Sequence, residues 1–310
     1  MKTIRPCLLA LLLVACSSAG SAGTGTGTTT PFTPRPDAAT RPQRLAAART
    51  WGYQLTGYGA AGLKGVQASP FDLVVVDAGD DDGTPWTPEA VGAAATRPGG
   101  AGRVMIGYLS IGAAEDYRPY WQAAWSASPP PWLLQEDPAW PGSFNVAYWN
   151  AEWQAMMLRQ LDKVIESGFD GVYLDLVDAY ELDPQRPSAR AEMVQWVCRI
   201  AAHARARDPH FLIIPQNASA LIRDPGYAPC VDALGNEETY VYAMNTPTEP
   251  SRQSTLLSDY AVWKSLGKPV FAIDYANTEP LVTQTYARAR AAGLVPYVTV
   301  RAVDVLTPGR

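Results

Sequence analysis

A closed (β/α)8 barrel of TIM type, an α/β fold in which helices wrap a ring of parallel strands, is what this sequence predicts, on three observations. Short apolar runs recur eight times after residue 50, and most end in a polar or acidic residue. Several are continuously hydrophobic, such as Leu73-Val74-Val75-Val76 and Phe211-Leu212-Ile213-Ile214, as strands buried on both faces require. Three times a helical pattern stops at a glycine that leads into a strand, the order of successive βα units.

Taken in order, the chain begins with Lys2, Arg5 and a short leucine-rich run, a signal peptide over residues 1–15 rather than a bilayer span. Leu13-Val14-Ala15-Cys16 resembles the bacterial lipobox, so lipid on Cys16 is expected, with simple secretion as the alternative. That implies export to a bacterial cell envelope and attachment to a membrane through the N-terminal lipid. Residues 17–42 hold 22 Ala, Gly, Ser, Thr or Pro out of 26, a composition that cannot bury enough apolar surface to fold. Residues 16–45 are therefore expected to be a lipidated flexible tether, and residues 46–310 the folded domain.

The eight expected strands are 51–55, 71–77, 104–110, 172–175, 211–217, 231–237, 270–274 and 295–300. Trp153, Met156, Met157, Leu161, Val164 and Ile165 form a helical stripe that Gly168 closes. Ser188 is placed to cap a second helix carrying Met193, Val197, Ile200 and Ala204. Two more helices, about residues 253–266 and 280–292, stop at Gly267 and Gly293. Connections 56–70 and 218–230 are too short or too rich in glycine for full helices, so the barrel is expected to be irregular. The loop over residues 111–150, after the third strand, holds Tyr117, Tyr120, Trp121, Trp125, Trp132, Trp140, Phe144, Tyr148 and Trp149. A loop this long usually serves a function; its rings either stack on sugars or pack the loop onto the barrel.

Composition narrows the chemistry. The 310 residues carry 25 Lys plus Arg against 30 Asp plus Glu, which argues against sequence-independent binding of nucleic acid. Histidine occurs twice, at His203 and His210, too sparsely for a multi-histidine metal site, and no cofactor is expected. The run Gly107-Tyr108-Leu109-Ser110-Ile111-Gly112 misses the serine-hydrolase elbow because Tyr108 stands where glycine is needed. Asp80, Asp82, Gly83 and Glu89 match part of a calcium loop, but Ala78 occupies its first ligand position, leaving an acidic turn and no metal site. Asn217-Ala218-Ser219 is a sequon, read here as a polar strand end. Once the signal and the lipidated cysteine are set aside, Cys198 and Cys230 remain, either paired in an oxidising compartment or two buried thiols.

What is plentiful is carboxylate at strand ends: Asp77, Asp175, Glu237 and Asp274, with Asp116 and Asp178 nearby. Barrel active sites lie at the C-terminal ends of the strands, and glycoside hydrolysis needs two carboxylates flanking the bond. Strands four and six have one strand between them, so their backbones stand roughly 9–10 Å apart at about 4.8 Å per strand. Inward-leaning carboxylates there can approach the roughly 5–5.5 Å of a retaining pair. Glu238 is expected on the opposite strand face from Glu237, and periodicity alone does not say which of the two enters the cleft.

Gly107-Tyr108-Leu109-Ser110-Ile111-Gly112, followed by Glu115-Asp116-Tyr117-Arg118, resembles the endo-α-1,4-polygalactosaminidase family, glycoside hydrolase family 114. So does Gly168-Phe169-Asp170-Gly171-Val172-Tyr173-Leu174-Asp175 with Val177-Asp178-Ala179-Tyr180. Trp149-Asn150-Ala151-Glu152-Trp153-Gln154 and Gly235-Asn236-Glu237-Glu238 are similar to its other blocks. The resemblance spans roughly residues 50–300 and implies a barrel enzyme cutting α-1,4-linked galactosamine polysaccharide in endo fashion; a monomer is expected. It implies Asp175 as nucleophile and Glu237 as acid/base. Substrate contacts are expected from Asp77, Tyr108, Ser110, Asp116, Tyr148, Trp149, Tyr173, Asp178, Asn217, Asp274 and Tyr275. Asp77, Asp80, Asp81, Asp82, Glu115 and Asp116 are expected to form an acidic mouth attracting a cationic polymer. The alternatives are a non-catalytic sugar-binding lipoprotein and a glycosidase for a different polymer.

Overall fold

The computed structural model describes residues 34, 35 and 37–310; the expected signal peptide, Cys16 and most of the tether lie outside them. Eight parallel strands form the barrel: β1 (Trp51–Gln54), β2 (Leu73–Asp77), β3 (Val104–Ser110), β4 (Gly171–Asp175), β5 (Leu212–Pro215), β6 (Leu234–Glu237), β7 (Val270–Tyr275) and β8 (Val295–Thr299). They pair as two sheets, β1 to β5 and β6 to β8. A lone parallel bridge between Gln216 and Gly235 joins the sheets on one side. On the other, the Trp51 indole donates to the Val295 carbonyl at 2.9 Å and Leu55 N to Val303 O at 2.8 Å. The barrel is therefore irregular at its two seams; connection 218–230 lies at one of them, whereas the strands joined by 56–70 pair regularly.

Large rings fill the interior. Trp51 lies 6.1, 6.4, 5.6 and 5.8 Å, centroid to centroid, from Tyr53, Tyr173, Phe271 and Tyr297. Such rings contribute dispersion as well as buried area. Their bulk requires a gap elsewhere: a Cβ on Gly235 would stand 2.0 Å from the Tyr173 hydroxyl, so β6 needs glycine opposite that ring.

Seven helices accompany the strands: α1 (Arg41–Ala47), α2 (Lys64–Ala68), α3 (Pro88–Ala94), α4 (Ala151–Glu166), α5 (Ala189–Arg207), α6 (Pro250–Ser265) and α7 (Glu279–Ala291). Helix α4 buries the expected stripe, and Asn150 caps it by accepting from Glu152 N and Trp153 N. Gly168, Gly267 and Gly293 have φ of 81°, 72° and 71°, the left-handed geometry that ends a helix with little strain only at glycine. Ser188 occupies the N-cap of α5 without a side-chain bond. The connection after β1 holds a 3-10 turn, Gly59–Ala61, and the five-residue α2, and that after β5 the 3-10 turns Ser219–Arg223 and Ala228–Cys230. Cys198 of α5 and Cys230 form a disulfide.

The tether expectation is corrected at its C-terminal end. Ala38, Arg41 and Leu45 are buried, so ordered structure begins before residue 46. The Arg41 guanidinium meets Asp208 and lies 2.6 Å from Asp170, while Arg35 also pairs with Asp170. Asp170 directly precedes β4 and Asp208 follows α5, so these pairs cover the N-terminal end of the barrel.

The loop after β3 folds on itself. Ala113–Glu115, Ser143–Val146 and Leu133–Glu136 make a small antiparallel sheet. Trp125 and Trp132 are buried in it, with Trp132 against Trp153 of α4 at 5.1 Å. Most of its rings pack; Tyr117 and Trp140 stay exposed. No helix among the described residues is long and apolar enough to cross a membrane.

Candidate active site

Alternation along each strand puts every second side chain into the barrel, and the last inward positions meet at its C-terminal end. Tyr173 belongs to the aromatic layer, and Asp175, two residues on, stands above it at the end of β4. Glu237 ends β6 in the same way above Gly235. Between them, Gln216 just beyond β5 donates from one nitrogen, Nε2, to Asp175 Oδ1 at 2.8 Å and to Glu237 Oε2 at 2.7 Å. Those two bonds keep the bridged oxygens no more than about 5.5 Å apart, below the ~6.5–9.5 Å of an inverting pair and within reach of a retaining one.

Each carboxylate has further donors. Asp175 Oδ2 accepts from the Tyr108 hydroxyl at 2.6 Å, and Oδ1 also accepts from Leu176 N at 2.7 Å. Glu237 accepts from the Tyr275 hydroxyl and from Asn217 Nδ2 at 3.0 Å, while Asn217 Oδ1 accepts from Glu237 N at 3.0 Å. The Tyr53 hydroxyl donates to Gln216 Oε1 at 3.2 Å, which orients the amide so that its nitrogen faces the acids. All these donors are neutral. Burial raises both pKa values and is the largest cause for each; for Asp175 the next is the charge of Glu237. Two such groups titrate as a pair that holds one proton over a range of pH. Asp178 beside them is pushed up to about 6, by burial first and then by Glu237.

The backbone contributes to this aim. Leu176, Asn217 and Glu238, each at a strand end beside a residue of this cluster, have φ of 57°, 62° and 58°. Left-handed geometry costs a non-glycine residue roughly 1–2 kcal/mol, and three consecutive strands bear it at this one site, where such strain typically collects.

The cleft above the pair measures about 490 Å³, within the range of ligand sites. Of the expected residues, Asp77, Tyr108, Asp175, Asp178, Asn217, Glu237 and Tyr275 line it. Six do not. The Ser110 hydroxyl donates to Ala113 O. Asp116 is exposed on the hairpin, its N–H donating to Gly142 O. The buried Tyr148 donates to Ala189 O, and Arg186 covers Trp149 at 3.9 Å. Tyr173 sits below the pair, fully buried. Asp274 lies on the outer face of β7, one residue before the inward Tyr275, and accepts from Tyr240 N and Val241 N at 2.7 and 2.8 Å. Glu238 is a correction in the other direction: the left-handed turn breaks the alternation, so it lines the cleft as well, accepting from Ala243 N.

The acidic mouth is also corrected. Arg118 donates to Glu115 and to Asp77, both at 2.6 Å, so these two acids share one cation inside the wall. Asp80 accepts from Asp82 N and Thr84 N, and Asp81 from Gly59 N, making a turn of the acidic run. The residues missed by sequence reasoning are Tyr53, Gln216, Arg118 and Arg301, while Trp140, one of the loop rings expected to stack or pack, lines the cleft. Gln216 sits beside Asn217 at an expected strand end and Arg118 in a quoted block, so position was a signal for both. Nothing local marks Arg301 or Tyr53.

Comparison with known proteins gives concordant results. The profile of glycoside-hydrolase family GH114 matches residues 30–308. An uncharacterized protein of Deinococcus radiodurans is 57% identical over 312 residues, covering 98% of each chain. Among solved structures, the glycoside hydrolase domain of PelA from Pseudomonas aeruginosa superposes with a TM-score of 0.65 at 19% identity, over 84% of this chain and 97% of that one. Aspergillus fumigatus Ega3, solved in complex with galactosamine, gives 0.61 at 21% identity, over 83% and 92%. At those identities the two structures share the fold.

Proposed function

The chain belongs to glycoside hydrolase family GH114, and on that premise we propose that it cleaves an α-1,4-linked galactosamine polysaccharide in endo fashion with retention of configuration. The observation that carries the chemistry is the Gln216 bridge, which holds two carboxylates within reach of a double displacement. In the proposed reaction an Asp175 oxygen attacks the anomeric carbon while Glu237 gives its proton to the leaving glycosidic oxygen. Water then enters, loses a proton to Glu237 and breaks the bond between sugar and Asp175, which restores both groups. Tyr108 and Tyr275 steady the two acids, and one proton shared by the pair supplies one acid and one base.

The galactosamine in the Ega3 complex supports an amino-sugar substrate, as does an excess of carboxylates along the cleft. The test is incubation of the purified domain with a panel of polysaccharides. Chain-shortened products are expected from α-1,4-linked galactosamine polymers, and their absence from these, with cutting of another polymer, overturns the substrate. We also propose that the protein is exported and held on a membrane by lipid at Cys16, for which the lipobox is the support. The Cys198–Cys230 disulfide suits an oxidising compartment. Cys16→Ser is expected to lose labelling by a fatty-acid analogue; equal label on variant and wild type ends the lipid assignment.

A further inference from the structure

Two arginines face the cleft, and their surroundings differ. Arg118 has both arms engaged, with Glu115 and Asp77. Arg301, in the turn after β8, is exposed and lines the cleft; no ion pair or hydrogen bond of its side chain is present among the described residues. Its guanidinium instead lies over Trp140, 5.0 Å from the ring centroid. Trp140 sits at the tip of the hairpin that follows β3, 51% exposed, and lines the same cleft. A guanidinium over an indole face is attracted by the ring's quadrupole, and the N–H donors of Arg301 have no hydrogen-bond partner among the described residues.

A fixed cation with free donors selects among sugars by charge. It repels an ammonium group and donates to a carbonyl or hydroxyl oxygen. The remaining cleft has the opposite sign: Asp137, Asp178 and Glu238 line it, with no cationic side chain in ion-pair contact among the described residues. A polyanion is disfavoured by those acids, and a uniformly cationic chain by Arg301. A chain that carries both free amines and uncharged acetamides suits each part.

We propose that Arg301, seated on Trp140, forms a subsite for an N-acetylated hexosamine unit, its guanidinium donating to the acetamide carbonyl. The enzyme then selects partly acetylated stretches over fully deacetylated ones. This deepens the galactosamine-polymer reading and rests on it.

The test measures binding of two short α-1,4-linked galactosamine oligomers, one N-acetylated and one with free amines, by calorimetry on the Asp175→Asn protein with and without Arg301→Glu. Arg301→Glu is expected to weaken the acetylated oligomer at least tenfold and to leave unchanged or strengthen the free-amine one. Arg301→Gln, which keeps donors but no charge, is expected to fall between. Trp140→Ala, which removes the seat, is expected to weaken the acetylated oligomer selectively. Equal change in both oligomers on Arg301→Glu overturns the subsite, as does an acetylated oligomer that does not bind, or an anionic oligosaccharide that binds more tightly. Hydrolysis on matched polymers is read separately: wild type that cuts neither ends the proposed activity, while the ratio of oligomer affinities still decides Arg301.

Discussion

The two ends of the barrel use buried carboxylates in opposite ways. At the N-terminal end Asp170 and Asp208 lie against Arg41, which is fully buried, and Arg35 adds a second charge on Asp170. Arg103, also buried there, donates to the carbonyls of Phe71, Val66, Ala94 and Ser69. At the C-terminal end Asp175 and Glu237 receive only hydroxyls, amides and one backbone N–H, and the nearby Arg118 is engaged by Asp77 and Glu115. A cation in contact stabilises the ionised form; neutral donors with burial leave a proton to be shared. At the lower end cations meet the carboxylates that brace the fold, and at the upper end neutral donors meet the two that face the cleft.

The sharpest way to break this contrast is to remove the acids of the upper end. Asp175→Asn and Glu237→Gln are each expected to lower kcat by about a thousandfold or more with thermal unfolding still cooperative. Near-normal turnover in either variant would remove the pair from the chemistry. At the lower end, Arg41→Ala leaves the buried Asp208 without its cation and Asp170 dependent on Arg35, and is expected to cost about 3–5 kcal/mol of stability in urea unfolding, with kcat of the folded fraction unchanged. A fall in kcat without a fall in stability would erase the division between the two ends.

Gln216→Leu sharpens the contrast from the middle, since it keeps bulk and removes the neutral bridge. Its expected effect is about a ten- to hundredfold drop in kcat and a pH–rate profile that changes in width, because the two acids are no longer held to one donor. An unaltered profile would show that the bridge only packs.

The smallest expected effect is on stability. A carboxylate whose folded pKa is raised binds more protons folded than unfolded, so stability is present at low pH and is lost as pH rises above the ordinary carboxylate range. Asp175→Asn relieves that cost, so it is expected to stabilise the domain by about 1–2 kcal/mol near pH 8 and very little near pH 4. Melting curves of both proteins across that range check the sign. A variant less stable than wild type at pH 8 would mean that the fold favours an ionised Asp175.

The comparison also accounts for the errors of the sequence reading. Asp274 and Tyr148 have the residue types of a sugar site, yet one faces outward from β7 and the other spends its hydroxyl on Ala189 O. Arg41 was assigned to a tether because the residues around it are small, although its partners lie 129 and 167 positions away along the chain. The hairpin rings were legible as a group, but which of them pack and which stay exposed depends on how that loop folds against α4.

By itself the sequence determined the eight strands, the glycine stops, the fold class and the placing of Asp175 and Glu237 at strand ends, because period, capping and polar termination are properties of neighbours along the chain. The tertiary structure alone decided that Gln216 would stand between the acids, that Glu238 would turn into the cleft, and that Arg118 would be occupied while Arg301 was left free. Those outcomes depend on how the seam between β5 and β6 closes and on where a hairpin from β3 meets the turn after β8. Charge pairing is set by distances in space between residues far apart in sequence, and no local pattern encodes them.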